Sequence, residues 1–228
     1  IGSVFLRNPP LMRVFGIVIS GSLCLGMFGK NVVYHFKYDI QRPNLTMIGL
    51  LIPAILLILT VPIWVALAKR TSKRPALAIG AMIGLAGYLW FFFNSAGNLT
   101  YTFAAMGLAG IGSSAFAVMF WSMLPDTVEY GQAVTGVRAE SKTFGFATFA
   151  QKAAVGINAL LLGALLEWVG YIPNEPQSAE TLLGMKAIMA LVPAAGVIVI
   201  LILLSGYKLD HAQHAQLLKD IESHPSKG

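Results

Sequence analysis

Six apolar stretches, each close to the length of a bilayer crossing, alternate with short polar segments along this chain. A helix of about 20 residues is about 30 Å long, the thickness of the hydrocarbon core. In that medium every backbone amide must find its partner inside the protein, so a run of this kind folds as a helix. The expected class is therefore an all-α membrane protein. Composition agrees: 56% of the residues are hydrophobic and 11% are charged, against about 25% charged in soluble domains. The formal charge of +6 would suggest nucleic acid in a soluble protein. Here the Lys and Arg residues sit in segments beside the apolar runs, which is the membrane-orientation signal, and no nucleic-acid partner is expected. A lone Cys24 excludes a disulfide framework and gives no metal signature.

The spans are expected at about 11–34, 45–68, 75–93, 99–124, 142–169 and 182–206. Residues 1–10 read as an approach segment, with Pro9-Pro10 marking a turn before the first helix. Residues 207–228 read as a tail in which Leu209, Leu217, Leu218 and Ile221 form one side of a surface helix. The first span is rich in Gly and Ser, and the centre of the fourth (Gly107, Gly110, Gly112, Ser113, Ser114, Ala115) is a close-packing surface. Pro53 and Pro62 interrupt the second span, where a proline kinks a helix; Trp64 there is a packing residue or an interface anchor. Residues 69–74 carry four cations, enough to act as a topology signal alone. Lys30, near the end of the first span, either lines a substrate path or snorkels to the interface.

Most cations fall on one side of the alternation, at Arg7, Arg13, 69–74, Arg138, Lys142, Lys208 and Lys219; the other side has Lys37 and Arg42, then a neutral turn and an acidic loop. The positive-inside rule then places both termini in the cytoplasm. The chain starts at Ile1 with no basic leader, and the expectation is that it continues a longer protein.

Residues 125–152 hold a dense charge group: Asp126, Glu129, Arg138, Glu140, Lys142 and Lys152. The first five are expected in a loop. Lys152 lies about 15 Å inside the next span, where a charge costs about 2.5–3.5 kcal/mol. At helical spacing it shares a stripe about 80° wide with Gly145, Thr148, Gly156, Ala159 and Gly163. Gln151 and Asn158 sit beside that stripe, which is expected to face a polar cavity or a tight helix partner. No Asp or Glu lies at the depth of Lys152, so its partner is expected in a second bundle. No nucleophile–base pair, phosphate loop or metal cluster is present, and no enzyme is expected.

Asp126-x-x-Glu129-Tyr130-Gly131, then Thr135-Gly136-x-Arg138-x-Glu140, then Lys152 in the following span, resembles the glycoside–pentoside–hexuronide:cation symporters, the melibiose-permease-like branch of the major facilitator superfamily. The chain resembles the carboxy-terminal half of such a protein. The resemblance implies a six-helix bundle that rocks against a missing amino-terminal half around a midplane sugar or glycoside site. It implies co-transported Na⁺ or H⁺, no cofactor, and a place among the lipids of a bacterial inner membrane. Lys152 and Thr148 match positions near the sugar and cation sites; Gln151, beside the stripe, and Lys30, as a residue of a substrate path, complete the expected substrate and coupling set. Asp126, Glu129, Arg138 and Glu140 match residues of the cytoplasmic ionic locks. The basic segment 69–74 resembles the short loop after the second helix of each half, without its usual acidic residue. A self-contained six-helix channel or scaffold, or a carrier of another substrate class, is the alternative.

Overall fold

The computed structural model describes residues 7–94, 98–209 and 213. Residues 1–6, the middle of the expected 94–98 turn and most of the expected tail helix lie outside them. Six long helices account for the described chain: α1 (Pro9–Tyr34), α2 (Thr46–Arg70), α3 (Lys73–Asn94), α4 (Leu99–Thr135), α5 (Glu140–Trp168) and α6 (Ala179–Ser205). All six contain segments long and apolar enough to cross a membrane. The end at which α1 starts and α6 stops is called the near end; the opposite one is the far end.

Local chemistry sets the helix ends. Asn8 caps α1, its Oδ1 accepting from the Leu11 amide at 3.1 Å. Pro9 and Pro10 therefore open the helix, rather than forming a turn before it, because the first turn needs no amide donor. Asn98 and Ser178 cap α4 and α6 in the same way. At its far end α1 widens into a π-turn, His35–Asp39.

The charged segment after 124 is helix, not loop. Helix α4 passes through Pro125 and stops only at Gly136, whose φ of 71° takes the left-handed conformation that ends a helix. At 37 residues it is about 55 Å long, well beyond a hydrocarbon core. Its last turns, with Asp126 and Glu129, can thus project past the membrane as a rigid continuation of the span. The true connection to α5 is only residues 136–139.

The packing has a two-fold pattern. Helix α1 packs mainly on α6 and α5, and α4 mainly on α3 and α2; α3 also meets α6, and α1 meets α4. Exchanging the first three helices with the last three leaves this pattern unchanged, while reversing each helix in the membrane, as in the inverted repeats of transporters. Helices α2 and α5 are the two ends of the resulting arc, each held largely through one neighbour.

Small residues permit the close crossings. A Cβ on Gly110 would stand 2.6 Å from Pro53 Cα, and one on Gly87 2.7 Å from the Ala109 amide nitrogen. Gly84 and Gly112 lie against each other's backbones between α3 and α4. Helix α2 is otherwise lipid-like all round, and a buried polar cluster pins it. Trp64 Nε1 donates to Ser114 Oγ at 2.7 Å, and Thr60 Oγ1 lies 2.6 Å from the same oxygen. Trp64 is thus a packing residue, 3% exposed.

Candidate functional site

Helix α5 is seated on the bundle by Thr143, Ala147, Ala150, Ala154, Asn158, Leu162 and Leu166. Every third or fourth residue buries a narrow seam, and small residues dominate it. Near mid-helix, the Asn158 amide donates to the Leu23 carbonyl of α1, which fixes the register of the two helices. Phe144 and Leu165 pack at the edges of this seam, and the far side of α5 is open, including Val155, Leu160 and Leu161.

The stripe that carries Lys152 is turned outward. Gly145, Lys152, Gly156, Ala159 and Gly163 are exposed, and Thr148 and Gln151 are half-buried. A Cβ added at Gly145, Gly156 or Gly163 would meet nothing within 4 Å. The expected polar cavity or tight helix partner is therefore not supplied by the other five helices. Thr148 Oγ1 donates back to the Phe144 carbonyl at 2.9 Å, a local bond. Among the described residues Lys152 makes no salt bridge.

Lys30 does not join this group. Asn158 lies beside Leu23 and Gly26 of α1. Lys152 is six residues toward the near end from that crossing, and Lys30 four to seven residues toward the far end. At the helical rise this places them about 15–20 Å apart along the bundle.

The charged groups of the near end form two separate sets. Asp126, with its side chain 9% exposed, is paired with Lys73 of α3 at 2.7 Å. The same ammonium donates to both carboxylate oxygens and, at 2.7 Å, to the Ser122 carbonyl. Pro125, lacking an amide, loosens the helix beside that carbonyl. Segment 69–74 is thus more than a topology signal: Lys73 opens α3, and Asp126 is its acidic partner. Arg138, in the α4–α5 connection, pairs instead with Glu140 at the start of α5 at 2.8 Å and reaches Gln132 Oε1 in the last turns of α4 at 3.2 Å. Glu129 is half-buried one turn beyond Asp126.

Three further contacts tighten the near end. Asn8 Nδ2 donates to the Thr127 carbonyl at 2.7 Å, tying α1 to the projecting part of α4. The Arg74 guanidinium donates to the Ser205 carbonyl at 3.0 Å, at the C-terminus of α6. Tyr207, immediately after α6, is fully buried in the near-end core. Burial, then the Asp126 charge, pushes its hydroxyl above the ordinary tyrosine range.

Two contributors escaped the sequence. Lys73 sat in a basic cluster that explained itself, and its carboxylate is 53 positions away. Asn158 lay beside the polar stripe; its spacing from Ala147, Ala150 and Ala154 was the available sign that it belongs to the buried seam.

Comparison with known proteins follows the same lines. Residues 2–211 match the family described as MFS/sugar transport protein. A glucuronide carrier protein homolog of Escherichia coli K12 is 27% identical over 222 residues, covering 95% of this chain and 48% of that protein. An isoprimeverose transporter of Lactiplantibacillus pentosus is 31% identical over 221 residues, covering 95% and 45%. The chain spans about half the length of the curated relatives it matches. With six helices of spanning length, inverted three-helix repeats and a match over nearly its whole extent, the chain belongs to the MFS/sugar transport protein family.

Proposed function

We propose that this six-helix bundle is one side of a sugar or glycoside symporter driven by Na⁺ or H⁺, working by alternating access against a second bundle of six helices. The observation that carries this is the outward stripe of α5. It offers an ammonium, a hydroxyl and three glycines with nothing packed on them. Lipid cannot solvate Lys152 at that depth. A second bundle bearing a carboxylate would, and its approach is eased where Gly145, Gly156 and Gly163 leave the backbone bare.

In this reading Lys152, with Thr148 and Gln151 a turn or less away, faces the transported sugar and the acidic residues that hold the coupling cation. When the cation neutralises those acids, their hold on Lys152 weakens and the bundles can shift. Asp126, Glu129, Arg138 and Glu140 act at the near end, the cytoplasmic side. The exposed Arg138–Glu140 pair is worth about 0–1 kcal/mol, weak enough to exchange partners as the gate moves. Lys73 and Asp126, better buried, hold α3 to α4 within the bundle.

Uptake of labelled glucuronide and of isoprimeverose into proteoliposomes tests the reading. The transporter used carries this chain as its carboxy-terminal half, under an imposed Na⁺ or pH gradient. Accumulation that follows one gradient is expected for one of these sugars. Gradient-driven uptake at full rate by residues 1–228 alone would overturn the two-bundle reading.

A further inference from the structure

Helices α1 and α2 follow each other in the chain but meet little. Helix α2 is held from behind by α4, where Gly110 lets Pro53 close in and Ser114 bonds Trp64. Between α1 and α2, with α4 as the back wall, lies a cavity of about 260 Å³. Small residues make the room: Gly29 on α1, Gly49 and Ala54 on α2, and Ala109 and Gly110 on α4. A Cβ on Gly29 would meet nothing within 4 Å. Phe28 and Tyr88 line the cavity as buried residues, their ring centroids 5.2 Å apart, while Gly29, Leu50 and Leu57 are exposed at its mouth. Toward the far end, Phe36 and Val32 pack against Gly49.

Among the described residues the lining includes no charged side chain. An apolar cavity stays dry, and one of about 150 Å³ takes up benzene rather than water. The cavity between α1 and α2 is larger, with room for a substituted ring. Two hydroxyls interrupt its apolar lining, Tyr88 Oη and Ser113 Oγ. They lie 3.4 Å apart, long for a bond between hydroxyls, where about 2.7–2.8 Å is usual. Each can both donate and accept, so each keeps bonding capacity for a ligand. Apolar walls with one polar spot suit an uncharged ring that carries a polar substituent. A lipid acyl chain would leave the two hydroxyls with nothing to bond.

The mouth lies on the side of α1 that α5 borders. Gly26 sits beside Asn158 of α5, and Gly29 is three positions on, about 60° further around the helix. A glycoside whose sugar faces α5 would therefore direct its other end along this side of α1. We propose that the cavity is an aglycone site: it holds an uncharged aromatic group carried on the anomeric carbon of a glycoside, and Tyr88 and Ser113 bond that group's polar substituent. This assignment rests on the sugar and glycoside reading above. It divides specificity in two, the sugar being read along the polar stripe of α5 and the aglycone by α1, α2, α4 and Tyr88 of α3.

The test compares 4-nitrophenyl β-D-glucuronide with methyl β-D-glucuronide, by calorimetry in nanodiscs, on the transporter that carries this chain as its carboxy-terminal half. The nitrophenyl glycoside should bind about 10-fold tighter or better. Gly29→Leu puts a side chain into open space and should bring the ratio of the two affinities close to one. Tyr88→Phe should weaken the nitrophenyl glycoside by about 5-fold relative to the unsubstituted phenyl glycoside. Equal affinity of the nitrophenyl and methyl glycosides overturns the proposal. So does a ratio that Gly29→Leu leaves unchanged, the result expected if a side chain of the second bundle fills the cavity. A second arm needs no sugar: 4-azidophenol is photolysed with the 228-residue chain in nanodiscs, and the adducts are mapped by mass spectrometry. Adducts should concentrate on Phe28, Leu50 and Leu57 over the exposed Ile58 and Leu59, and should be lost in Gly29→Leu. Adducts spread evenly over all five residues show labelling from the lipid phase and overturn the ring site. Cavity labelling in a transporter that binds neither glycoside keeps the ring site and refutes the sugar reading instead.

Discussion

The Lys73–Asp126 pair sets up an asymmetric mutational test. Its carboxylate is 9% exposed and its ammonium 26%. Removing one partner of a buried pair costs about 3–5 kcal/mol when the remaining charge cannot reach water. Lys73→Met takes the ammonium from the Asp126 carboxylate, which is buried near Tyr207, and removes its second bond, to the Ser122 carbonyl. The expected loss is about 3 kcal/mol, at the lower end because the site is not fully closed. Asp126→Asn leaves an ammonium already a quarter exposed on a flexible stem, which can swing into water. Its expected loss is about 1–2 kcal/mol. Lys73→Met combined with Asp126→Leu removes both charges and should recover most of the single-variant loss, since apolar replacement of a whole pair is often close to neutral. Reversible unfolding in mixed micelles with increasing SDS measures all three. Equal losses below about 0.5 kcal/mol for both single variants would place the pair among ordinary surface contacts. Strict additivity in the double variant would show that the two charges do not act on each other.

Other outcomes follow from named contacts. Lys152→Met keeps side-chain length and removes the charge; in the full-length transporter it should abolish uphill sugar accumulation while membrane insertion persists, and unchanged accumulation would reduce Lys152 to a tolerated polar residue. Arg138→Ala should slow transport more than it weakens sugar binding, which parallel uptake and binding measurements separate. Gly110→Ala would drive a Cβ to 2.6 Å from Pro53 Cα, so α2 must shift from α4, at about 1–3 kcal/mol read from SDS unfolding. Ser114→Ala strands the Trp64 indole N–H, with an expected loss of about 1–3 kcal/mol and increased quenching of Trp64 by lipid-phase quenchers.

The sequence was most readable where the signal is local. Helical spacing grouped Thr148, Lys152 and Gly156 correctly on one stripe, because side-chain direction repeats every 3.6 residues whatever the surroundings. The glycines of the first and fourth spans pointed to tight crossings, and Gly21 against Phe116, Gly110 against Pro53 and Gly112 against Gly84 are such crossings. The charged segment after the fourth span was less legible. It was expected as a loop, yet α4 continues to Thr135 and stops only at Gly136, with φ 71°. Asn8 of α1 and Lys73 of α3 hold this extension against the bundle, through the Thr127 carbonyl and Asp126.

By itself the sequence determined the six spans, their all-helical class, the small-residue surfaces and the membership of each helix stripe. Those follow from hydropathy, backbone hydrogen bonding and a fixed helical period, which act within one segment. Only the tertiary structure decided which stripe is used. It seated α5 through Ala147, Ala154 and Asn158 and turned Lys152 outward. It gave Asp126 to Lys73 rather than to Arg138, and it set Lys30 and Lys152 at different depths. It also closed Asn31, His35 and Asp39 of α1 against Lys186, about 150 positions later, around one cavity. Partner choice of this kind depends on how far one helix slides and turns against another. That is settled by the packing of all six together, and no single segment carries the information.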